Sequence, residues 1–254
     1  MQEINIKNLL DTKYTEYNDA DFFIGTDPIQ IPKMFNNKGD IEVAGFLAAS
    51  LAWGQRKTII NKAKDLINRM DGCPYDFIMN AGEEDLKSLI GFKHRTLNDY
   101  DIRYFIESLI NIYRNKGGLE SVFTTAYEDS KDMLTVLARF HSIFTELEHL
   151  PRVERHIANV SKGSAAKRIN MFLRWMVRDD QVDFGIWKGI PTSALLIPLD
   201  VHCANVSREL GLLKRKQNDI KAVIELTQAL RDFDQTDPVR YDFALFGIGA
   251  FKKD

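Results

Sequence analysis

The sequence is poor in most of the features that would settle a reading at once. It has two cysteines in 254 residues, Cys73 and Cys203. That is too few for a disulfide framework or for the four thiolates of an iron–sulfur cluster, and it points to a reducing compartment. It lacks repeats and low-complexity tracts, which excludes fibrous and disordered classes. Long apolar runs are missing too: no window approaches about 18 uninterrupted apolar residues. The opening stretch MQEINIKNLLDTKYTEYND is polar, without the apolar segment of a secretory signal. A cytoplasmic protein with no membrane partner is therefore expected. Charge of one sign is also lacking, since 34 Lys+Arg stand against 36 Asp+Glu. What remains, 44% hydrophobic residues at this length, can bury a sizeable core as one large domain or two lobes.

Alternating β-branched runs are nearly absent, whereas apolar residues recur at helical spacing almost throughout. The fold class expected is all-α. The first strong helix is read from Asp40, taken as an N-cap before IEVAGFLAASLAW, to about Gly54, and a second from about Gln55 to Met70. Further helices are expected near 83–90, 101–115, 118–127, 130–149, 151–160, 164–178, 200–211, 218–233 and 238–251. Asp101 and the pair Asp237-Pro238 read as helix openings, and Gly117-Gly118 as a stop. The least helical stretches are 18–39 and 179–199, the second long enough to suggest a functional loop or a lobe crossover.

The net charge conceals an uneven distribution. From Lys162 to Arg178 the chain reads KGSAAKRINMFLRWMVR, with five cations and no acid. At 100° per residue, Ala165, Ile169, Phe172, Leu173 and Met176 share one face, and Lys167, Arg174 and Arg178 another. No acid stands three or four residues from these cations, and locally unpaired positive charge suits phosphates. Lys167 falls in the first turn, behind Ser164 as candidate N-cap, where the helix dipole and the neighbours Lys162 and Arg168 disfavour an ammonium ion. A neutral amine is what nucleophilic attack on an electrophilic carbon requires. Asp200, in LLIPLDVHCANVSRELGLL, stands where a helix N-cap belongs. Capping would hold its carboxylate in the fixed direction that proton transfer or stabilisation of a developing cation also needs.

Lys167 and Asp200 together resemble the pair that defines the helix-hairpin-helix DNA glycosylase superfamily, in which a lysine follows the hairpin and an aspartate opens a later helix. Here that second tract reads Leu199-Asp200-Val201-His202. The separation of 33 residues looks like the archaeal 8-oxoguanine DNA glycosylase branch, in which a second basic residue follows the lysine by seven positions, as Arg174 does here. Glu209-Leu210-Gly211-Leu212 fits as well. The chain departs from the superfamily in lacking a Leu-Pro-Gly-x-Gly hairpin, because Leu150-Pro151 is followed by RVERHIANVSKGS. The sequence is similar, over most of its length, to a bacterial family described only as a domain of unknown function. KRINMFLRWMVR at 167–178, PLDVH at 198–202 and DPVRYDFALFGIG at 237–249 carry that likeness.

The glycosylase resemblance implies a two-lobed helical fold with the cleft between lobes. Residues 25–178 would form a central helical barrel with a helix-hairpin-helix-like element, and 1–24 with 179–254 a second lobe. It implies a base-excision glycosylase, with abasic-site lyase activity, acting on an oxidised purine such as 8-oxoguanine in double-stranded DNA. Lys167 would be the nucleophile and Asp200 its carboxylate partner. Arg168, Arg174 and Arg178 would hold phosphates, and Trp53, Gln55 and His202 would lie on the substrate side, with Phe172 and Trp175 as further aromatic candidates. A monomer is expected. A reading from another class is a non-catalytic nucleic-acid-binding or scaffold protein that keeps the fold. No metal is expected, because the five histidines lack ligand spacing. No cofactor is expected either, because there is no Walker-type loop and Gly247-Ile248-Gly249 falls at a helix end.

Overall fold

The computed structural model of the protein describes residues 5–251. These are mostly helical. In chain order the α-helices are α1 (Ile6–Tyr17), α2 (Ala20–Ile24), α3 (Lys38–Ser50), α4 (Arg56–Arg69), α5 (Pro74–Asn80), α6 (Glu83–Leu86), α7 (Asp99–Asn115), α8 (Leu119–Ser130) and α9 (Met133–Phe144). They continue with α10 (Lys167–Val177), α11 (Val201–Glu209), α12 (Ile220–Arg231) and α13 (Tyr241–Ala250). Among the described residues the sheet is one two-stranded antiparallel hairpin, β1 (Lys93–His94) with β2 (Leu97–Asn98), paired Lys93 to Asn98 and His94 to Leu97. No helix among them is long and apolar enough to cross a membrane.

The chain divides into two compact units. One is Thr26–Asn159. Its centre is α3, buried from Ile41 to Ala49 and packed on α5. Phe46, Phe105, Phe123, Phe140 and Phe144 form a connected aromatic core, with centroid separations from 4.5 Å between Phe123 and Phe140 to 6.4 Å between Phe46 and Phe105. Several starts differ from expectation because a cap further upstream wins. Asn37, not Asp40, caps α3: its side chain accepts from the Asp40 amide at 2.8 Å, and Asp40 in turn accepts from the Tyr75 amide at 2.8 Å. Asn98, not Asp101, caps α7, with Asp101 as the reciprocal member of a capping box. The helix expected over 151–160 is instead a single 3₁₀ turn, Val153–His156. Its neighbours are drawn onto the buried Asp101, which takes Arg152 at 2.8 Å and faces His156 at 3.4 Å.

The other unit joins the residues before Thr26 to those from Val160 onward. Here α13 packs on α1 and on α11. The two glycines near its end make the approach possible. A Cβ at Gly247 would lie 2.1 Å from the Tyr17 ring, and one at Gly249 would lie 2.9 Å from the His202 Cβ. The Gly-Ile-Gly sequence is therefore a packing device. Asp11 of α1 ties down the start of α13, taking Arg240 at 2.6 Å and the Tyr241 hydroxyl at 2.9 Å. The polar α1, with Leu10 its one buried residue, the five-residue α2 inside the stretch read as non-helical, and the seven-residue α5 are helices that hydrophobic periodicity overlooks.

The 179–199 stretch is ordered by α10. The last carbonyls of a helix have no partner within it, and here Phe184 donates to the Trp175 carbonyl at 2.8 Å and Trp187 to that of Met176 at 2.9 Å. Phe172 and Trp187 meet edge to face, 5.3 Å apart. Gly185, at φ +57°, has no room for a side chain because a Cβ there would meet Asp179 at 2.5 Å. The loop thus folds back over the end of α10 and brings two of its own aspartates, Asp180 and Asp183, to that helix.

Candidate active site

The site is built from α10 outward. Its start is not capped by Ser164: the N-cap is Ala166, in the left-handed region at φ +51°, and the Ser164 hydroxyl accepts from the Ala166 amide one turn earlier at 3.2 Å. Lys167 follows as the first helical residue and is half-buried. Its ammonium makes no hydrogen bond or ion pair with any described residue. Beyond this first turn the expected division into an apolar and a solvated face fails, because every residue from Ile169 to Val177 is buried.

Arg174 and Arg178, each 2% exposed, correct the reading of a phosphate-facing ridge. They are bound by internal carboxylates supplied from far along the chain. Arg174 donates from Nη1 to Asp242 and from Nε to Asp183 at 3.3 Å. Arg178 donates to Asp183 at 2.6 Å, to Asp180 at 2.7 Å and to both oxygens of Asp237 at 2.9 and 3.0 Å. The Phe243 ring lies 4.2 Å from the Arg174 guanidinium carbon and 5.5 Å from that of Arg178. Asp237 does not cap the turn that Pro238 opens, because its carboxylate is committed to Arg178. Two cations buried beside four carboxylates make a network in which each partner's removal strands a charge. Burial pushes Asp183 and Asp242 upward, against the guanidinium groups that hold them ionised.

Asp200 is the N-cap of α11, its Oδ1 accepting from the Cys203 amide at 2.8 Å. Cys203 is fully buried and its thiol donates to Asp242 Oδ1 at 3.2 Å. Burial, with Asp200 and Asp242 beside it, pushes this thiol well up, so it stays protonated. The charges of Lys167 and Asp200 both reach Asp242, the lysine favouring its carboxylate and the aspartate opposing it. An amine with no hydrogen bond or ion pair among the described residues and a carboxylate fixed by backbone thus both act on a buried second carboxylate.

The remaining candidates fall into two groups. Arg168 lies beside Lys167 on α10, and burial lowers it. His202 is exposed on the first turn of α11, with the Phe246 ring edge-on at 5.9 Å. Phe172 and Trp175 are fully buried core residues rather than parts of an open pocket. Trp53 and Gln55 belong to the Thr26–Asn159 unit. Gln55 is exposed at the start of α4, and its side chain makes no capping bond. Trp53 is half-buried, with the Arg95 guanidinium over its ring at 4.9 Å and His94 edge-on at 5.8 Å. Since a carbonyl only accepts, His94 Nε2 carries the hydrogen it gives to the Trp53 oxygen at 3.2 Å, and burial keeps this imidazole neutral. In the same unit a groove of about 600 Å³ is lined by Lys38, Glu42, Tyr113 and Glu120 among others. There the Tyr113 hydroxyl donates to Glu42 at 2.8 Å and Lys38 pairs with Glu120. Among the described residues no group of three potential metal ligands is gathered.

Asp183, Cys203 and Asp242 are the members of the site that sequence reasoning missed. A signal for Asp242 does exist: it is an acid inside YDFALFGIGA, a helix too apolar to leave one face in water.

The protein is thus largely helical, with its candidate site on α10, α11 and α13. The chain belongs to the family described as protein of unknown function (DUF2400), which it matches over residues 27–251, a span that includes Lys167, Asp200 and Asp242. No curated protein and no solved structure matches it.

Proposed function

We propose that the protein is a DNA base-excision glycosylase with abasic-site lyase activity, acting on an oxidised purine such as 8-oxoguanine through Lys167. The observation that carries this reading is the amine of Lys167, first in its helix and without an ion-pair partner among the described residues, while the Asp200 carboxylate is held in a fixed direction by a backbone amide at the start of α11. The resemblance of the Lys167 and Leu199-Asp200-Val201-His202 tracts to the helix-hairpin-helix glycosylases supports it.

The target base is flipped out of the duplex, at a cost of about a few kcal/mol that is least for a lesion or mispair. Asp200 takes a proton from Lys167 and stabilises the positive charge that grows on the sugar C1′. The Lys167 nitrogen bonds to C1′ as the bond from C1′ to the base breaks, and the base leaves with the electron pair and is protonated. Ring opening gives a Schiff base, which acidifies the C2′ proton. Its removal expels the 3′ phosphate. With Arg174 and Arg178 spent internally, phosphate binding falls to other cations of the α10 start, Arg168 among them, and these contacts position the duplex without reading sequence.

The test is incubation with duplexes carrying 8-oxoguanine, uracil, an alkylated purine or an abasic site, scoring base release and strand cleavage. Release of one lesion, abolished by Lys167→Gln and strongly slowed by Asp200→Asn, is the expected result. Salt-sensitive binding with no release from any duplex contradicts the enzyme and favours the non-catalytic scaffold.

A further inference from the structure

The groove in the Thr26–Asn159 unit takes no part in the proposed chemistry, and its volume of about 600 Å³ suits a small molecule. Two tyrosines supply its aromatic wall. The Tyr75 ring lies so close to the first turn of α3 that a Cβ at Gly39 would stand 2.5 Å from it, and the Tyr113 ring meets Tyr75 edge-on at 5.6 Å. The charged residues of the lining are Lys38, Glu42 and Glu120. Glu42 is 4% exposed, and its Oε2 accepts from the Tyr113 hydroxyl at 2.8 Å. Burial and this neighbouring carboxylate push the hydroxyl well up, so it stays a donor. The other oxygen, Oε1, stands 3.9 Å from Lys38 Nζ, an ion-pair distance too long for a hydrogen bond. Lys38 donates to Glu120 instead.

We propose that this groove binds a small alkylammonium ligand, whose ammonium takes the place that Lys38 holds between Glu42 and Glu120 while its carbon chain lies against Tyr75 and Tyr113. The charge balance selects a cation, because two carboxylates face one ammonium. The starts of α3 and α8 also lie at the groove and would attract an anion. Their first turns already carry Asp40 and Glu120, however, and an anion would meet the buried Glu42 as well. Tyrosine rings favour a cation and the methylenes attached to it. Lys38 is the internal stand-in: it places an ammonium within ion-pair range of both carboxylates at once. Its side chain is 51% exposed, and an ion pair at the surface costs little to break, so a ligand that donates to Glu42 as well as Glu120 displaces it. None of these residues belongs to the proposed glycosylase chemistry, and the inference stands or falls apart from it.

The test is calorimetry on the full chain at fixed ionic strength, with n-butylammonium, choline and magnesium chloride as probes. Lys38→Met keeps an unbranched stem and removes the competing ammonium, so it should bind n-butylammonium about tenfold or more tighter than the parent. Adding Glu42→Gln, whose side-chain oxygen still accepts from Tyr113, should abolish that gain. Choline, which has no N–H to donate, should bind Lys38→Met more weakly than n-butylammonium does. If the Glu42→Gln protein does not fold, Glu120→Gln at the more exposed rim decides in its place: weaker binding supports the site, and unchanged binding overturns it. Failure of Lys38→Met to bind n-butylammonium, or binding no tighter than the parent's, overturns the proposal. So does a gain that survives Glu42→Gln, or displacement of n-butylammonium by an equal concentration of magnesium, which would mark a metal site instead.

Discussion

The two ends of α10 carry the same charge and have opposite fates. At its start, Lys167 is half-buried and has no ion-pair partner among the described residues. Two and three turns later, Arg174 and Arg178 are withdrawn from solvent and held by Asp180, Asp183, Asp237 and Asp242. The difference lies in what the rest of the chain brings to each end. The end of the helix meets the folded-back 179–199 loop and the first turns around α13, both rich in aspartate. At the start no described acid pairs with Lys167, and the Asp200 carboxylate caps α11 through a backbone amide. The end of the helix uses its charge to hold the unit together, whereas Lys167 at its start has no ion-pair partner among the described residues.

The strongest way to break this contrast is at Arg178. Arg178→Met leaves Asp180, Asp183 and Asp237 without their shared cation and should cost about 3–5 kcal/mol, read by urea denaturation. A cost below about 1 kcal/mol would mean that the network is not the support described here. Next comes the packing of α13: Gly247→Ala drives a methyl into the Tyr17 ring and should cost about 1–3 kcal/mol in the same assay. The opposite end of α10 should be nearly silent in stability. Lys167→Gln is expected to stay within about 0.5 kcal/mol of the parent, because it removes no partnered group.

The smallest effect sharpens the comparison further. If the duplex meets the start of α10 and not its end, Lys167→Gln should lower the salt slope of DNA binding by about one unit, measured by fluorescence anisotropy between low and moderate salt. Arg174→Lys, which keeps the buried charge, should leave that slope unchanged. A slope that falls in Arg174→Lys and not in Lys167→Gln would reverse the assignment of the two ends.

How much of this was legible in the sequence depends on the range of the rule applied. Helices with a strong apolar period, such as α7, α9 and α12, can be read because their buried faces recur every turn. The N-cap position of Asp200 is legible too, since Pro198 precedes it and an apolar helical pattern follows. The partners of Arg174 and Arg178 were not. The rule of looking three and four residues away finds only partners on the same helix, whereas Asp242 lies 68 residues beyond Arg174 and Asp237 lies 59 beyond Arg178. An absence of local acids was therefore read as free charge when it was long-range pairing. The missed α1 has the same root: its stability comes from contacts with α13, more than two hundred residues on, and its own pattern buries only Leu10.

The most direct test of the central claim, that the start of α10 offers a reactive amine, is borohydride reduction of the protein on an 8-oxoguanine or abasic-site duplex, followed by peptide mapping of any covalent product. The account predicts a trapped complex whose adduct lies on Lys167 and which disappears in Lys167→Gln, while Arg174→Lys still forms it. A complex that persists in Lys167→Gln, or an adduct that maps to another lysine, would contradict it.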